Sequence, residues 1–301
     1  MRLVIAIGGN ALLKRGEPFS AENQARNMAT SAVGLAQICA GHEVAIVHGN
    51  GPQVGLLALE AASYKSVAPY PFDVLGAESQ GMIGYVIAQA MRNAMPGREV
   101  AALLTQTRVD AGDAAFQNPT KPIGPTYTKT EIEALEPHPA WQFAADGVNF
   151  RRVVASPQPL DIVELAAIER LVADGLLTIC CGGGGIPVVD DEAQQRLKGI
   201  EAVIDKDLAS ALLAVKLKAD QLIVLTDVDG IYADWLLPTQ TLIKSASVAE
   251  LRGITFSEGS MKPKVEAVCR FVSETGMSAT IGNLQTAAAV AAGTAGTAVM
   301  P

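Results

Sequence analysis

The sequence predicts an α/β protein with a mainly parallel central sheet, and three observations predict it. Short apolar runs rich in branched residues recur along the chain, too short to be helices. Several end directly in glycine, at Gly8-Gly9, at Gly49-x-Gly51 and at Gly182 to Gly185. Segments of helical period separate them, which is the alternation of successive βα units. A chain of 301 residues fits one large α/β domain with an insertion, or two domains.

Residues 3–7 form the first apolar strand and lead into Gly8-Gly9-Asn10. A helical pattern spans residues 20–40, with Ser20 as N-cap and Gly41 as stop. Residues 43–47 make the second strand, ending in His48-Gly49-Asn50-Gly51, followed by helical patterns over 54–62 and 73–95 and a strand over 100–105. From about 110 to 159 the character changes. Pro119, Pro122, Pro125, Pro137, Pro139, Pro157 and Pro159 crowd this part, which cannot continue a sheet of βα units and reads as an inserted subdomain or lid carrying Lys121.

Alternation then returns. A helix over 161–174, capped by Asp161, precedes a buried strand over 176–181, in which Cys180 and Cys181 should point to opposite faces. The glycines from Gly182 let the backbone approach a ligand with its N–H groups free, as phosphate sites require. Lys206 stands between Asp205 and Asp207 at the start of a helical pattern over 208–216. A strand over 221–226 ends in Asp227-Val228-Asp229-Gly230-Ile231-Tyr232, whose acids suit a metal, a ribose or simply a turn. Gly259-Ser260-Met261-Lys262-Pro263-Lys264 opens a helix over 265–275 as an anion-binding start. A strand over 278–281, an Ala-rich helix and a strand over 298–300 complete the chain.

The net charge of -8 argues against nucleic acid and anionic membrane as partners. Binding of a phosphorylated substrate must then come from a few lysines placed locally. Cys39, Cys180, Cys181 and Cys269 lack metal-ligand spacing and read as core residues of a reducing compartment. The first apolar run is too short for a signal sequence, and Gly293 and Gly296 break the Ala-rich tail, so the expected location is cytoplasmic.

Standard motifs do not fit. Gly49-x-Gly51-x-x-x-Gly55 is one residue too long for the dinucleotide fingerprint, and there is neither a Gly-Lys-Ser/Thr nor a Gly-x-Ser-x-Gly. What remains is three glycine-bearing strand ends, three lysines in unusual settings (Lys121, Lys206 and Lys264) and few general bases. That set suits phosphoryl transfer, where catalysis is mostly positioning and charge neutralisation.

Several runs, taken in order, carry a resemblance. They are Ala6-Ile7-Gly8-Gly9-Asn10-Ala11-Leu12, His48-Gly49-Asn50-Gly51-Pro52-Gln53-Val54-Gly55, Asn118-Pro119-Thr120-Lys121-Pro122-Ile123-Gly124-Pro125, Cys181-Gly182-Gly183-Gly184-Gly185-Ile186-Pro187-Val188, Glu201-Ala202-Val203-Ile204-Asp205-Lys206-Asp207 and Gly259 to Lys264. Over essentially its whole length the chain strongly resembles the carbamate kinases, a branch of the amino acid kinase family. The resemblance implies a three-layer αβα sandwich, a protruding subdomain and a homodimer. It also implies reversible phosphoryl transfer between ATP and carbamate, giving ADP and carbamoyl phosphate, with Mg2+ and often run toward ATP in catabolism. By position, Gly8, Gly9, Asn10, Asn50 and Gly51 would hold carbamate and the transferring group. Lys121, Lys206 and Lys264 would act on the phosphoryl and nucleotide phosphates, with Asp207 orienting them. Gly182, Gly183, Asp227, Asp229, Tyr232, Ser260 and Met261 would line the nucleotide pocket. Lys262, Ala155 and the apolar run from Asp234 to Pro238 depart from the pattern. Two other readings fit the residues: a sibling kinase of another small carboxylate, and a silent nucleotide-binding paralogue. The run from Asn118 to Pro125 speaks against the first, and the joint presence of Lys121, Lys206, Asp207 and Lys264 against the second.

Overall fold

The computed structural model of the chain describes residues 1–14, 16–134, 141–191, 193–256 and 261–301, and of Asn10 the backbone. An eight-stranded sheet forms the centre, in the order Ser245–Ser247, Thr297–Met300, Ala279–Asn283, Gln221–Thr226, Arg2–Ile7, Glu43–His48, Leu177–Ile179 and Val100–Ala102. Every neighbouring pair is parallel except Ala279–Asn283 with Thr297–Met300.

Strand periodicity divides the core into two layers. Along Arg2–Ile7, the side chains of Leu3, Ile5 and Ile7 pack with Met28, Leu35, Ile83, Ile87 and Met91, from the helices Ala21–Cys39 and Phe72–Ala94. Val4 and Ala6 face the other way, into a layer with Ile168, Val172, Leu212, Val268 and Phe271 from the helices Leu165–Ala173, Lys206–Lys216 and Met261–Thr275. Helices therefore cover both faces, and the architecture is a three-layer αβα sandwich. No helix among the described residues is long and apolar enough to cross a membrane.

Among the described residues, three smaller sheets lie outside this frame. One of them joins Lys121–Tyr127, Asn149–Val154 and Gln142–Asp146 in antiparallel order. Its first strand touches the sandwich backbone to backbone. A Cβ on Gly55, in the helix Gly51–Ser63, would overlap Gly124, which itself holds a φ of +69°. Only two glycines allow that approach. It brings the strand that begins at Lys121 against the helix that begins at Gly51.

The structure differs from the sequence reading at three elements. The strand expected over 100–105 ends at Ala102, because Thr105 N–H is diverted to Gln80 Oε1 at 2.8 Å and Gln106–Arg108 joins a second sheet. The helix expected from Asp161 begins at Leu165. Asp161–Ile162 is instead an antiparallel strand against Thr107 and Arg108. The strand over 176–181 pairs only over Leu177–Ile179, and Cys181 has a left-handed φ of +50°. That turn breaks the two-residue alternation, so Cys180 and Cys181 pack into the same core layer, not opposite ones.

Candidate active site

Four adjacent strands occupy the middle of the sheet, Gln221–Thr226, Arg2–Ile7, Glu43–His48 and Leu177–Ile179, all parallel. Their C-terminal ends open on one edge, where open parallel sheets bind ligands. There the chain places Asp227, the turn Gly9–Ala11, Gly49 and Asn50, and the turn Gly182–Gly184. A cleft of about 360 Å³ at this edge is lined by Gly8, Lys14, Thr226, Asp227, Asn283 and Gln285.

The helix Lys206–Lys216 starts against the same edge. Asp205 caps it in the standard way, its Oδ1 accepting the Asp207 N–H at 2.8 Å. Lys206, only 9% exposed, runs its aliphatic stem across Gly49, with Cδ 3.3 Å from where a Cβ would stand. Its Nζ meets Asp207 Oδ1 at 2.5 Å, and Lys264 Nζ meets the other oxygen, Oδ2, at 3.3 Å. Lys121 pairs with Asp205 Oδ2. Three lysines distant in sequence thus converge on two aspartates two residues apart.

Burial sets the electrostatics. Desolvation is the largest influence on Lys206 and pulls its ammonium below the ordinary lysine value, with the charge of Lys264 adding and Asp207 opposing. Lys264 goes the other way. Burial would lower it, but Asp207, Asp205 and Asp227 together raise it. Burial would raise the Asp205 carboxyl, yet Lys121, Lys206 and the Asp207 N–H bring it below the usual carboxylate range. The surroundings thus favour the charged forms of Asp205 and Lys264, while burial disfavours the Lys206 ammonium and a nearby anion would favour it.

The residues singled out in the sequence fall into two groups. Gly8, Gly9, the Asn10 backbone, Asn50, Gly51, Lys121, Lys206, Asp207 and Lys264 gather at the sheet edge. Gly182 and Gly183 join them from the side: a Cβ on Gly183 would collide with the Asn50 amide. Two strands separate them from Asp227, a gap of about 14 Å at the usual strand spacing. Asp229 and Tyr232 form a second group, in which Asp229 accepts from Tyr232 Oη at 3.3 Å and from Asn283 Nδ2 at 2.9 Å. The Tyr232 ring lies 5.4 Å from that of Trp235. Met261 begins the helix Met261–Thr275; Gly259 and Ser260 lie outside the described residues.

Sequence reasoning missed Asp205 as the partner of Lys121, and it missed Ser79 and Gln80 altogether. The signal for Asp205 was present, since an aspartate before a helical run is an N-cap whose second oxygen stays available. Ser79 and Gln80 carry no local signal. They lie mid-helix and reach the site only because the helix Phe72–Ala94 packs beside it. Asn50 Nδ2 donates to Ser79 Oγ at 2.9 Å, and Gln80 Nε2 donates to the carbonyl of Gly182 at 2.9 Å.

The amino acid kinase family model matches residues 1–283 of this chain. A carbamate kinase of Haemophilus influenzae is 51% identical over 300 residues, covering 99% of this chain and 96% of that protein. A carbamate kinase of Escherichia coli strain K12 is 50% identical over 297 residues, covering 99% of this chain and 98% of its own length. Among solved structures, the carbamate kinase of Giardia lamblia bound to AMP-PNP superposes with a TM-score of 0.89 at 38% identity, covering 99% of this chain and 98% of that one.

Proposed function

The chain belongs to the amino acid kinase family, among the carbamate kinases, and we propose that its lysine and glycine cluster is where phosphoryl transfer takes place. The reaction is ATP + carbamate ⇌ ADP + carbamoyl phosphate. The observation that carries the site assignment is the convergence of Lys121, Lys206 and Lys264 on Asp205 and Asp207 at the sheet edge.

Carbamate is already an anionic nucleophile, so the chain has no proton to remove. The barrier is electrostatic: two anions must meet in line while charge spreads over the transferring oxygens. Gly8, Gly9, Gly51 and the Asn10 backbone offer backbone donors, and Asn50 its backbone and side-chain amide, to carbamate and the transferring group. Lys206 lies against Gly49 and neutralises that group. Lys264, kept fully charged by three aspartates, holds the nucleotide phosphates. Asp207 fixes both ammonium groups on separate oxygens. Lys121 approaches from the strand Lys121–Tyr127, which belongs to an inserted subdomain over about residues 110–159. Gly182 and Gly183 serve the phosphoryl end of the nucleotide, with Asp227, Asp229, Tyr232 and Met261 toward its nucleoside; Ser260, assigned to the same pocket from the sequence, lies outside the described residues.

Among the described residues no cluster of acids or histidines forms a metal cage, and Asp205 and Asp207 are both engaged by lysines. This donor set fits Mg2+ carried on the nucleotide phosphates, not held by the chain. When bound, Mg2+ neutralises phosphate charge. The active form is a homodimer in this reading, supported by the exposed apolar side chains Val74, Met82 and Tyr85 on the helix Phe72–Ala94.

The test is ATP formation from ADP, carbamoyl phosphate and Mg2+ by the wild type and by Lys206→Ala. We expect robust turnover by the wild type and a loss of about 3 kcal/mol of transition-state stabilisation in the variant. A fall of less than about tenfold would remove Lys206 from its role. No ATP from a folded, nucleotide-binding wild type would overturn the reaction.

A further inference from the structure

We propose that Ser79 is a positioning residue of this site. It turns the Asn50 amide away from the helix that Asn50 begins and fixes which amide atoms remain for the substrate. The inference rests on the reading of Asn50 as a substrate-binding residue.

Asn50 is the N-cap of the helix Gly51–Ser63. Asparagine is among the preferred caps because its side-chain oxygen accepts an N–H of the first turn. Pro52 has no N–H, so the Gln53 N–H is the natural target. Yet the Asn50 side chain makes no cap bond. Its Nδ2 donates instead to Ser79 Oγ at 2.9 Å, away from its own helix. Ser79, in turn, commits its hydroxyl proton to the Gly76 carbonyl at 2.7 Å. Toward Asn50 the Ser79 oxygen can therefore only accept, so the NH2 edge must face it. The amide also lies across Gly183 so closely that any side chain there would collide with it. Both groups are buried, Asn50 at 5% exposure and Ser79 at 0%. The orientation is thus held from two sides.

Two consequences bear on the reaction. First, the N–H groups of Gly51 and Gln53 are left by the cap for another acceptor, at a helix start that favours an anion. Second, Oδ1 and the second N–H of Nδ2 remain uncommitted on a rigid amide, one acceptor and one donor in fixed positions. A ligand bearing both N–H donors and carboxylate oxygens, as carbamate does, matches an amide with one fixed acceptor beside backbone donors. Without the Ser79 hydroxyl, Asn50 regains the rotamer that caps its own helix, and stability and substrate binding should move in opposite directions.

The experiment compares Ser79→Ala, Ser79→Thr and Asn50→Ala with the wild type, in full-length protein, in the direction of ATP synthesis. For Ser79→Ala we expect the KM for carbamoyl phosphate to rise about tenfold, the KM for ADP to stay within about twofold, and the Tm to equal or exceed that of the wild type. Ser79→Thr keeps the hydroxyl and should restore the KM. The proposal is overturned if Ser79→Ala leaves the carbamoyl phosphate KM unchanged while Asn50→Ala raises it. It is equally overturned if Ser79→Ala lowers the Tm and raises both KM values together, which a merely structural role would do. If Asn50→Ala does not move the carbamoyl phosphate KM, the reading of Asn50 is wrong and the proposal goes with it.

Discussion

His48 ends the strand Glu43–His48 and is 1% exposed, directly beneath the glycine turns. Its Nδ1 lies 3.1 Å from the Gly49 carbonyl, which can only accept, so Nδ1 carries the proton of a neutral ring. Burial is the main reason its pKa falls to about 4; the Gly49 bond opposes this and the nearby Lys206 charge adds to it. The sign follows from proton counting. Below its ordinary value of 6.5 the unfolded chain takes up a proton that the folded chain refuses until about pH 4, so stability falls as pH drops through that window. Between pH 7 and pH 5 this amounts to about 2 kcal/mol. We expect the unfolding free energy of the wild type, from urea titrations, to fall by that order, and His48→Gln to flatten the dependence. An equal slope in the variant would assign the acid sensitivity to other groups. Asp205 contributes at lower pH: its folded pKa is depressed, so its stabilisation is lost only as pH falls below the carboxylate range. The pattern His48-Gly49-Asn50-Gly51 drew attention to the glycines, while the buried imidazole that shapes the pH response had no partner visible in sequence.

At the scale of elements, the site depends on how the strand Lys121–Tyr127 meets the helix Gly51–Ser63. The contact is Gly55 on Gly124, backbone on backbone, with Ile123, Val54, Ala58 and Val154 packed around it. Adding one methyl group at Gly55 would force the two elements apart, and overpacking of this kind costs about 1–3 kcal/mol. Because that strand begins with Lys121, the same displacement should pull Lys121 away from Asp205. Gly55→Ala is therefore expected to lower the Tm and turnover together; Lys121→Ala, which leaves the buried Asp205 carboxylate without its ion-pair partner, should lower both as well. A Gly55→Ala protein with wild-type Tm and rate would show that the close approach is dispensable. In sequence, Gly55 stands out as a failed dinucleotide spacing and as the end of the run from His48 that carries the family resemblance, with no sign of what it packs against. Its partner sixty-nine positions later is a tertiary fact.

For the whole molecule, the helix Phe72–Ala94 links two surfaces. One face carries Ser79 and Gln80 into the site; the other leaves Val74, Met82 and Tyr85 at 37%, 37% and 63% exposure. In the dimer reading that apolar face is covered by a second copy. Tyr85→Arg should then shift the mass measured by light scattering toward the monomer, and an unchanged mass would move the interface elsewhere. The α/β class, the parallel central strands, the Ser20 cap and the glycine-bearing strand ends were all legible in sequence, because each is written in local periodicity and turn chemistry. The lysines and Asp207 were also legible, as charges in settings that ordinary surface residues do not have. Local pattern did not decide where Cys181 turns left-handed, that Asp161 joins a strand, or that Asp205 holds Lys121. Nor did it reveal that Ser79 and Gln80 hold the site loops from beneath. Those depend on which side chains meet after the sheet and its helices have packed, and a sequence pattern reports the neighbours along the chain, not those across it.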